Sequence, residues 1–318
     1  MANENGWGDG VLNNDIGWGQ GSNNEIGWGS IYAVSESGLT ALESNATSLL
    51  LDLYPDASAA YSVRKLRTEY EGAALRVRRS SDNSEQDIGF VSTDLDTESL
   101  LTFVGVGDGY VVTWYDQSTN GLNTTNSTAS QQRQIVVSGV LITDNGKPAS
   151  KDISTTTQYS TSTPVYAADA PDVWTFSVQN AEDTLTNTSF IFGANTYNGF
   201  LVATWSNRES VDVRTVRTGG GSTGEMGVIG ALVGQQILTT YADRVNVASF
   251  LNGVELSGTR ADSDTNFLSV TFNTILGMQN STARSFDGYF QEFIIYEVDQ
   301  TANQSAIESN INTYYSIY

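Results

Sequence analysis

The sequence predicts a mainly β fold, a β-sandwich with a few short helices, preceded by an extended N-terminal arm. From residue 166 onward, runs of β-branched and aromatic residues recur about every ten to twelve residues, as in β-sandwiches. Gly and Asn stand between these runs, where turns are expected. Residues 1–30 differ, because they are rich in Gly and Asn and repeat a Gly-Trp-Gly unit three times.

The first region, residues 1–30, is predicted to be an arm that anchors the chain to a partner. Its large apolar side chains are too few to form a core of their own. The glycines around them would let the backbone lie close to a receiving surface. The predicted anchoring residues are Trp7, Ile16, Trp18, Ile26 and Trp28. The alternative is a low-complexity leader without a fixed structure.

The second region, residues 31–165, is predicted to begin with a helix over about residues 57–70, where apolar residues fall near helical spacing. The segment LRVRR then alternates apolar and basic residues, which indicates a strand with one exposed face. A second helix is predicted from Asp96 as N-cap to Gly105 as its stop. The run GYVVTW indicates a buried strand that ends in a turn over residues 116–121.

The third region, residues 166–318, is predicted to supply most of the sandwich. Its β-type runs are DVWTFSVQN, SFIFGAN, GFLVATW, VDVRTVRT, QILTTYAD, NVASFLNGVELSG, FLSVTFNTILG and GYFQEFIIYEV. Asn252-Gly253 is a strong signal for a two-residue hairpin turn.

A final helix is predicted to close the chain. Thr301 and Gln304 have the spacing of a capping box at its start. The predicted apolar face of the helix consists of Ile307, Ile311 and Tyr314.

The composition excludes several classes of function. Lys and Arg number 15 and Asp and Glu 36, and the resulting formal charge of −21 repels phosphate backbones and anionic lipids. We therefore expect neither nucleic acid nor a membrane as partner. The chain contains no histidine and no cysteine, which excludes the Ser-His-Asp triad, thiolate nucleophiles and the usual zinc sites. Catalysis would have to use carboxylates, Tyr, Lys or a hard metal ion.

No motif specifies a cofactor or a targeting signal. No spacing resembles an EF-hand loop or a P-loop, so no cofactor is predicted, and calcium, common in jelly rolls, is not specified. The segment MANENGWGDG lacks the basic and apolar parts of a signal peptide, which predicts synthesis in a host cytoplasm.

Two parts of the chain resemble known folds. The tail FDGYFQEFIIYEVDQTANQSAIESNINTYYSIY, preceded by the Asn-Gly hairpin and ILGMQNS, resembles the end of a concanavalin A-like (laminin G-like) jelly roll. The stretch AAYSVRKLRTEYEGAALRVRRSSDNSEQDIGF, followed by VVTWYDQSTNG, resembles the catalytic jelly roll of the α-L-arabinofuranosidase B family. The resemblance covers roughly residues 51–318, and one jelly-roll domain is predicted over residues 31–318. Domains with this YDQS segment also resemble receptor- or glycan-facing modules of bacteriophage virion proteins.

The family resemblance implies retaining glycoside hydrolysis, which needs two carboxyl groups about 5 Å apart across the sugar. The family's nucleophilic Glu lies in a segment similar to Gly199–Trp205, which contains no acid here. The second carboxylate lies in a turn that here ends in Gln279 and Asn280, so an amide replaces the acid. An amide cannot act as a general acid. Other acids of the late strands that could act instead are Glu255, Asp287 and Glu292.

The YDQS turn admits two interpretations. Asp116, Gln117 and Asn120 either hold a structural turn through local backbone hydrogen bonds or face a glycan, together with Gln279 and Asn280. The structural interpretation is favoured, because Asp and Ser at a strand end commonly bind neighbouring amides.

A basic cluster of Arg76, Arg78 and Arg79 stands out in this acidic chain. Internal ion pairing is its favoured role, and a docking patch is the alternative.

Taken together, these features predict a non-catalytic bacteriophage virion structural protein, a head or tail fibre or decoration protein of the capsid. The arm would bind other virion proteins, the chain would form a homo-oligomer with a trimer favoured, and the jelly roll would bind surface glycans. No catalytic residue and no metal site are predicted. The alternative is a retaining glycoside hydrolase of the α-L-arabinofuranosidase type.

Overall fold

The computed structural model describes residues 48–152, 159–161, 172–181, 189–193, 199–205, 210–216, 222–223, 234–243, 247–256, 274–275 and 288–318. Residues 49–318 belong to one compact unit. The predicted arm and both predicted boundaries, at 30/31 and 165/166, lie outside the described residues.

The described part of the chain is mainly β, and all of its strand pairs are antiparallel. The strands up to residue 152 are β1 (Ala57–Ser62), β2 (Leu75–Arg79), β3 (Glu85–Ile88), β4 (Phe90–Val91), β5 (Asp94–Leu95), β6 (Gly109–Trp114), β7 (Thr124–Thr125), β8 (Gln134–Val137), β9 (Val140–Leu141), β10 (Thr143–Asp144), β11 (Lys147–Pro148) and β12 (Ser150–Lys151). The later strands are β13 (Tyr159–Thr161), β14 (Asp172–Ala181), β15 (Ser189–Gly193), β16 (Gly199–Trp205), β17 (Ser210–Val216), β18 (Ser222–Thr223), β19 (Gln236–Asp243), β20 (Val247–Leu251), β21 (Val254–Glu255), β22 (Thr274–Ile275) and β23 (Gly288–Tyr296).

The helices of the described residues are few and short. They are α1 (Leu50–Leu53), α2 (Thr97–Val104) and α3 (Gln304–Tyr315), with a single 3₁₀ turn at Ala129–Gln131. None of these helices is long and apolar enough to cross a membrane. The predicted fold class, a mainly β sandwich with a few short helices, is confirmed.

The strands form two layers. In the first layer the order is β21-β20-β19-β14-β23-β1, with β12 beside β1 on the same edge of β23. In the second layer the order is β3-β2-β6, and β6 then pairs with both β7 and β8. From β7 the second layer continues as β13-β22-β15-β16-β17-β18. Strand β12 pairs with both β8 and β23, so the two layers are joined along one side.

The central strands of the first layer, β19, β14, β23 and β1, are buried on both of their faces. One face packs against the second layer in a core that includes Tyr61, Trp114, Phe290 and Phe293. The opposite face packs against α1 and α3 through a second core that includes Phe176. A sheet covered on both faces needs apolar residues at nearly every position, and β23 is accordingly buried along almost its whole length.

Strand β1 corrects the prediction of a helix over residues 57–70. Both faces of this strand are buried, with Tyr61 in the core between the layers and Ala60 in the core under the helices. A register shift lies between Ala57 and Ala59. Double-sided burial and this irregularity remove the period of two that marks a strand, so the apolar spacing looked helical.

Elements whose ends are marked by nearby cap or turn residues form where the sequence predicts them. Helix α2 begins after Asp96, whose side chain accepts a hydrogen bond from the Ser99 amide at 3.0 Å. It ends at Gly105, which has a φ of 67°. Asn252 and Gly253 both have positive φ and connect β20 to β21, so the predicted hairpin is confirmed.

Helix α3 corrects two details of its prediction. It starts after Asn303, and the Thr301 hydroxyl donates to Asp299 at 2.6 Å rather than capping the helix. Its buried face repeats every four residues through Ile307, Ile311 and Tyr315, so Tyr315 takes the place predicted for Tyr314.

Candidate functional site

An open cavity of about 520 Å³ lies where the loop between β1 and β2 meets the turn that follows β6. The lining side chains that bear on its chemistry are Arg67, Tyr70, Asp87, Tyr115, Asp116 and Asn123. They combine aromatic rings with a guanidinium, carboxylates and an amide. Such a mixture suits a saccharide, because rings can pack on the apolar faces of a sugar while polar groups bind its hydroxyls.

Asp116 lines the cavity and holds the turn after β6. Its Oδ1 accepts hydrogen bonds from the amides of Ala60 at 2.8 Å and Ser118 at 2.9 Å. Its Oδ2 accepts from the Ser118 hydroxyl at 2.7 Å and from the Leu122 amide at 2.8 Å. All four contacts are to this chain, and the side chain is buried. Asp116 therefore shapes the cavity and binds the turn to β1.

Gln117 and Asn120 bind the same turn to β1 and the residues after it. The buried Gln117 side chain accepts from the Leu66 amide at 2.8 Å and donates to the Arg64 carbonyl at 2.9 Å. The Asn120 side chain donates to the carbonyls of Ala57 and Ser58. These contacts are those of a structural turn.

Two tyrosines form the aromatic part of the cavity wall. The Tyr70 hydroxyl donates to the Ala73 carbonyl at 2.8 Å, and the Tyr115 hydroxyl donates to Asp87 Oδ1 at 2.8 Å. Partial burial, followed by the nearby Asp116 carboxylate, raises the pKa of Tyr70 to about 12. Burial and the hydrogen bond to Asp87 also raise the pKa of Tyr115. Both rings therefore carry neutral hydroxyls at physiological pH.

Asp87 is the accessible carboxylate of the cavity, about half exposed at the end of β3. Besides Tyr115, it contacts Arg76 Nη1 at 3.3 Å. Arg76 also binds Glu85 at 2.7 Å, so two carboxylates of β3 share one guanidinium. Arg79 pairs with Asp82 at 2.6 Å, and internal ion pairing is thus confirmed for Arg76 and Arg79.

Arg78, the third member of the basic cluster, has neutral partners instead. Its side chain donates to Gln132 Oε1 and Asn83 Oδ1, both at 2.8 Å.

The structure assigns the acids of the late strands to other roles. Glu292 is completely buried, and its carboxylate binds the Arg64 guanidinium at 2.7 and 2.9 Å. Ser62 and Tyr315 also donate to it, which leaves no room for a substrate. Glu255 is exposed on β21. Asp287 lies outside the described residues.

Several predicted site residues cannot be placed. The anchoring residues Trp7, Ile16, Trp18, Ile26 and Trp28, and the turn residues Gln279 and Asn280, all lie outside the described residues. Within the part of the chain that the structure describes, no three acidic side chains come close enough to hold a metal ion.

The cavity also contains residues that the sequence did not single out. Arg67, Tyr70 and Asp87 lie in the stretch that carries the family resemblance but were not predicted as site residues, and Arg67 and Tyr70 fell inside the wrongly predicted helix. Their shared location depends on loops that are distant in sequence. Recognition of β1 as a strand would have placed Arg67 and Tyr70 in the loop between β1 and β2, whereas Asp87 lies on β3.

Comparison with known proteins identifies a fold. No protein-family profile and no curated protein sequence matches the chain. Solved structures do match: a GH54 α-L-arabinofuranosidase soaked with a cyclic sulfate inhibitor is similar with a TM-score of 0.60 and 18% identity. An arabinofuranosidase complexed with arabinofuranosyl-α-1,2-xylobiose is similar with a TM-score of 0.57 and 17% identity. Both matches cover 80% of this chain but only 62% of the other, so this chain spans less than two thirds of those proteins.

These matches correct the function predicted from the sequence. The prediction of a non-catalytic bacteriophage virion protein, and of no enzymatic activity, is contradicted because the matched structures are glycoside hydrolases. The prediction rested on an N-terminal arm outside the described residues and on missing acids in two short segments. Neither feature determines the fold of the domain.

Proposed function

We propose that this chain is a glycoside hydrolase of the α-L-arabinofuranosidase type. The observation that carries the proposal is the similarity of its backbone to an α-L-arabinofuranosidase, with a TM-score of 0.60 over 80% of the chain. The open cavity lined by two tyrosines, an arginine and acids supports it, since its chemistry suits a sugar. Retaining hydrolysis would need two carboxyl groups about 5 Å apart.

The register of the second layer offers an acid for this chemistry. Strand β16 corresponds to the segment in which the family resemblance places the nucleophile, and it contains no acid. Asp212 on β17 stands directly opposite Ala203 of β16. We propose Asp212, which stands at this register position on the neighbouring strand, as one of the two catalytic residues.

The test is hydrolysis of an aryl α-L-arabinofuranoside and of arabinan by the purified full chain. We expect turnover of at least one of them. In Asp212→Asn we expect kcat to fall by at least about a hundredfold, the usual scale when a catalytic carboxylate is lost.

The matched control is Asp82→Asn, which makes the same change at an exposed carboxylate paired with Arg79. It should retain wild-type turnover. Absence of turnover on both substrates in a folded protein would refute the proposed activity. Turnover that survives Asp212→Asn would refute the assignment of Asp212 alone.

A further inference from the structure

We propose that the cavity between the β1–β2 loop and the YDQS turn binds an acidic saccharide, with the anionic group of the sugar held by Arg67. The inference deepens the proposed function and rests on it for the saccharide part of the ligand. The acidity of the ligand is inferred from the charge and the hydrogen bonding of the residues that line the cavity.

Arg67 differs from the other arginines in residues 48–152. Arg64, Arg76, Arg78, Arg79 and Arg133 each make side-chain hydrogen bonds or ion pairs within the chain. The Arg67 guanidinium makes none with any described residue, and its Nε is buried without a partner. Because no described residue accepts a hydrogen bond from this guanidinium, a ligand oxygen bound to it would add a charge-assisted hydrogen bond that the free protein lacks.

The acids that line the cavity do not compete for this cation. Asp116 has both oxygens occupied by four hydrogen bonds from the turn and from β1. Asp87 is held by Arg76 and by the Tyr115 hydroxyl. Arg67 is therefore the lining cation of the cavity, and its guanidinium makes no hydrogen bond with the described residues.

A guanidinium favours an oxyanion over a neutral hydroxyl. Its planar fork matches a carboxylate with two parallel hydrogen bonds, each stronger than a bond between neutral groups. In a chain with a formal charge of −21, an arginine without an ion pair among the described residues also provides a local attraction for an anion.

The rest of the lining suits the sugar that carries the anion. Tyr70 and Tyr115 line the cavity and supply its aromatic rings. Asn123 uses its Oδ1 to accept the Asp116 amide, and its amide hydrogens remain available to sugar hydroxyls. The chemical class expected in the cavity is therefore a uronic-acid-bearing saccharide, and a sulfated saccharide shares the same anionic chemistry.

The test is calorimetric titration of the full chain with galacturonic acid trimer, with its neutral methyl ester, and with a sulfated trisaccharide. We expect an acidic trimer to bind at least about tenfold more tightly than the methyl ester, the scale of a charge-assisted hydrogen bond. Arg67→Gln should remove this difference. Arg79→Gln, which makes the same charge change at a residue paired with Asp82, should keep it.

Each outcome decides a separate point. Preference for the uronate or for the sulfated sugar identifies which anion Arg67 holds, and both support the inference. Equal binding of the acidic and neutral trimers, or equal losses in the two arginine variants, would overturn it. Arg67→Lys is a control for misfolding. It keeps the positive charge, so it should retain part of the preference for the acidic trimer over the methyl ester. Acidic-sugar binding without arabinofuranoside turnover would sustain this inference while refuting the proposed activity.

Discussion

Arg64 and Glu292 form a two-point ion pair in the core beneath α3, with Nε–Oε2 at 2.7 Å and Nη2–Oε1 at 2.9 Å. The side chains are 7% and 0% exposed. The guanidinium also lies over the rings of Tyr314 and Tyr315. The pair therefore joins β23, the segment after β1 and α3 in a region without solvent.

Removal of the Glu292 charge should destabilise the fold strongly. Glu292→Gln leaves a buried guanidinium without its counter-ion, and we expect a loss of about 3–5 kcal/mol in the free energy of unfolding. Glu85→Gln, at an exposed ion pair, should cost no more than about 1 kcal/mol. Urea denaturation of both variants measures the difference. Equal losses of unfolding free energy in the two variants would contradict the expectation that the buried pair matters more than the exposed one.

The turn after β6 should depend on Asp116. Asp116→Ala removes the acceptor for four hydrogen bonds, and we expect a loss of about 3 kcal/mol because buried donors are left without partners. Asp87→Ala, in the same cavity but about half exposed, should cost less than about 1 kcal/mol. The measurement is again the free energy of unfolding in urea. A small loss in Asp116→Ala would mean that water or another group replaces the carboxylate.

Tyr70 should make stability depend on alkaline pH. Its pKa is raised from the usual 10.0 to about 12, so the folded protein holds this proton more tightly than the unfolded chain does. The resulting stabilisation is complete below pH 10 and is lost as the pH rises through about 12. Tyr70→Phe should lose less stability than the wild type between pH 10 and pH 12. Identical pH profiles of the unfolding free energy would refute this assignment.

Gly253 should be required at the β20–β21 hairpin. Its φ of 78° is left-handed, and a Cβ would lie 3.2 Å from the Tyr318 hydroxyl. We expect Gly253→Ala to cost about 1–2 kcal/mol. Gly89 has open space around a Cβ and no left-handed φ, so Gly89→Ala should change stability by less than about 0.5 kcal/mol. Thermal melts of the two variants test the contrast, and similar melting temperatures would contradict it.

Sequence alone predicts the elements of this fold whose signals are local. The Asp96 cap with the Gly105 stop, and the Asn252-Gly253 turn, depend on neighbouring residues and appear where expected. Strand β1 was missed because layers on both of its faces bury it, and its partners lie more than two hundred residues away. Burial by distant segments is not encoded in the periodicity of the strand itself.

The candidate site was predicted only in part, for a related reason. Asp116, Gln117 and Asn120 could be recognised, because a polar turn after a buried strand is a local pattern. Arg67 and Asp87 could not, because nothing near either residue indicates that they line one cavity. Likewise, an arginine without a partner is recognisable only after the partners of the other arginines are known.

The pairing of β1 with β23 sets the order in which the chain can acquire its native core. Ser62 and Glu292 are in register across a separation of 230 residues. During synthesis, residues 57–62 therefore leave the ribosome long before the strand that must cover their hydrogen-bonding edge. Such distant pairing predicts slow folding and a period in which an unpaired, apolar edge is exposed to aggregation.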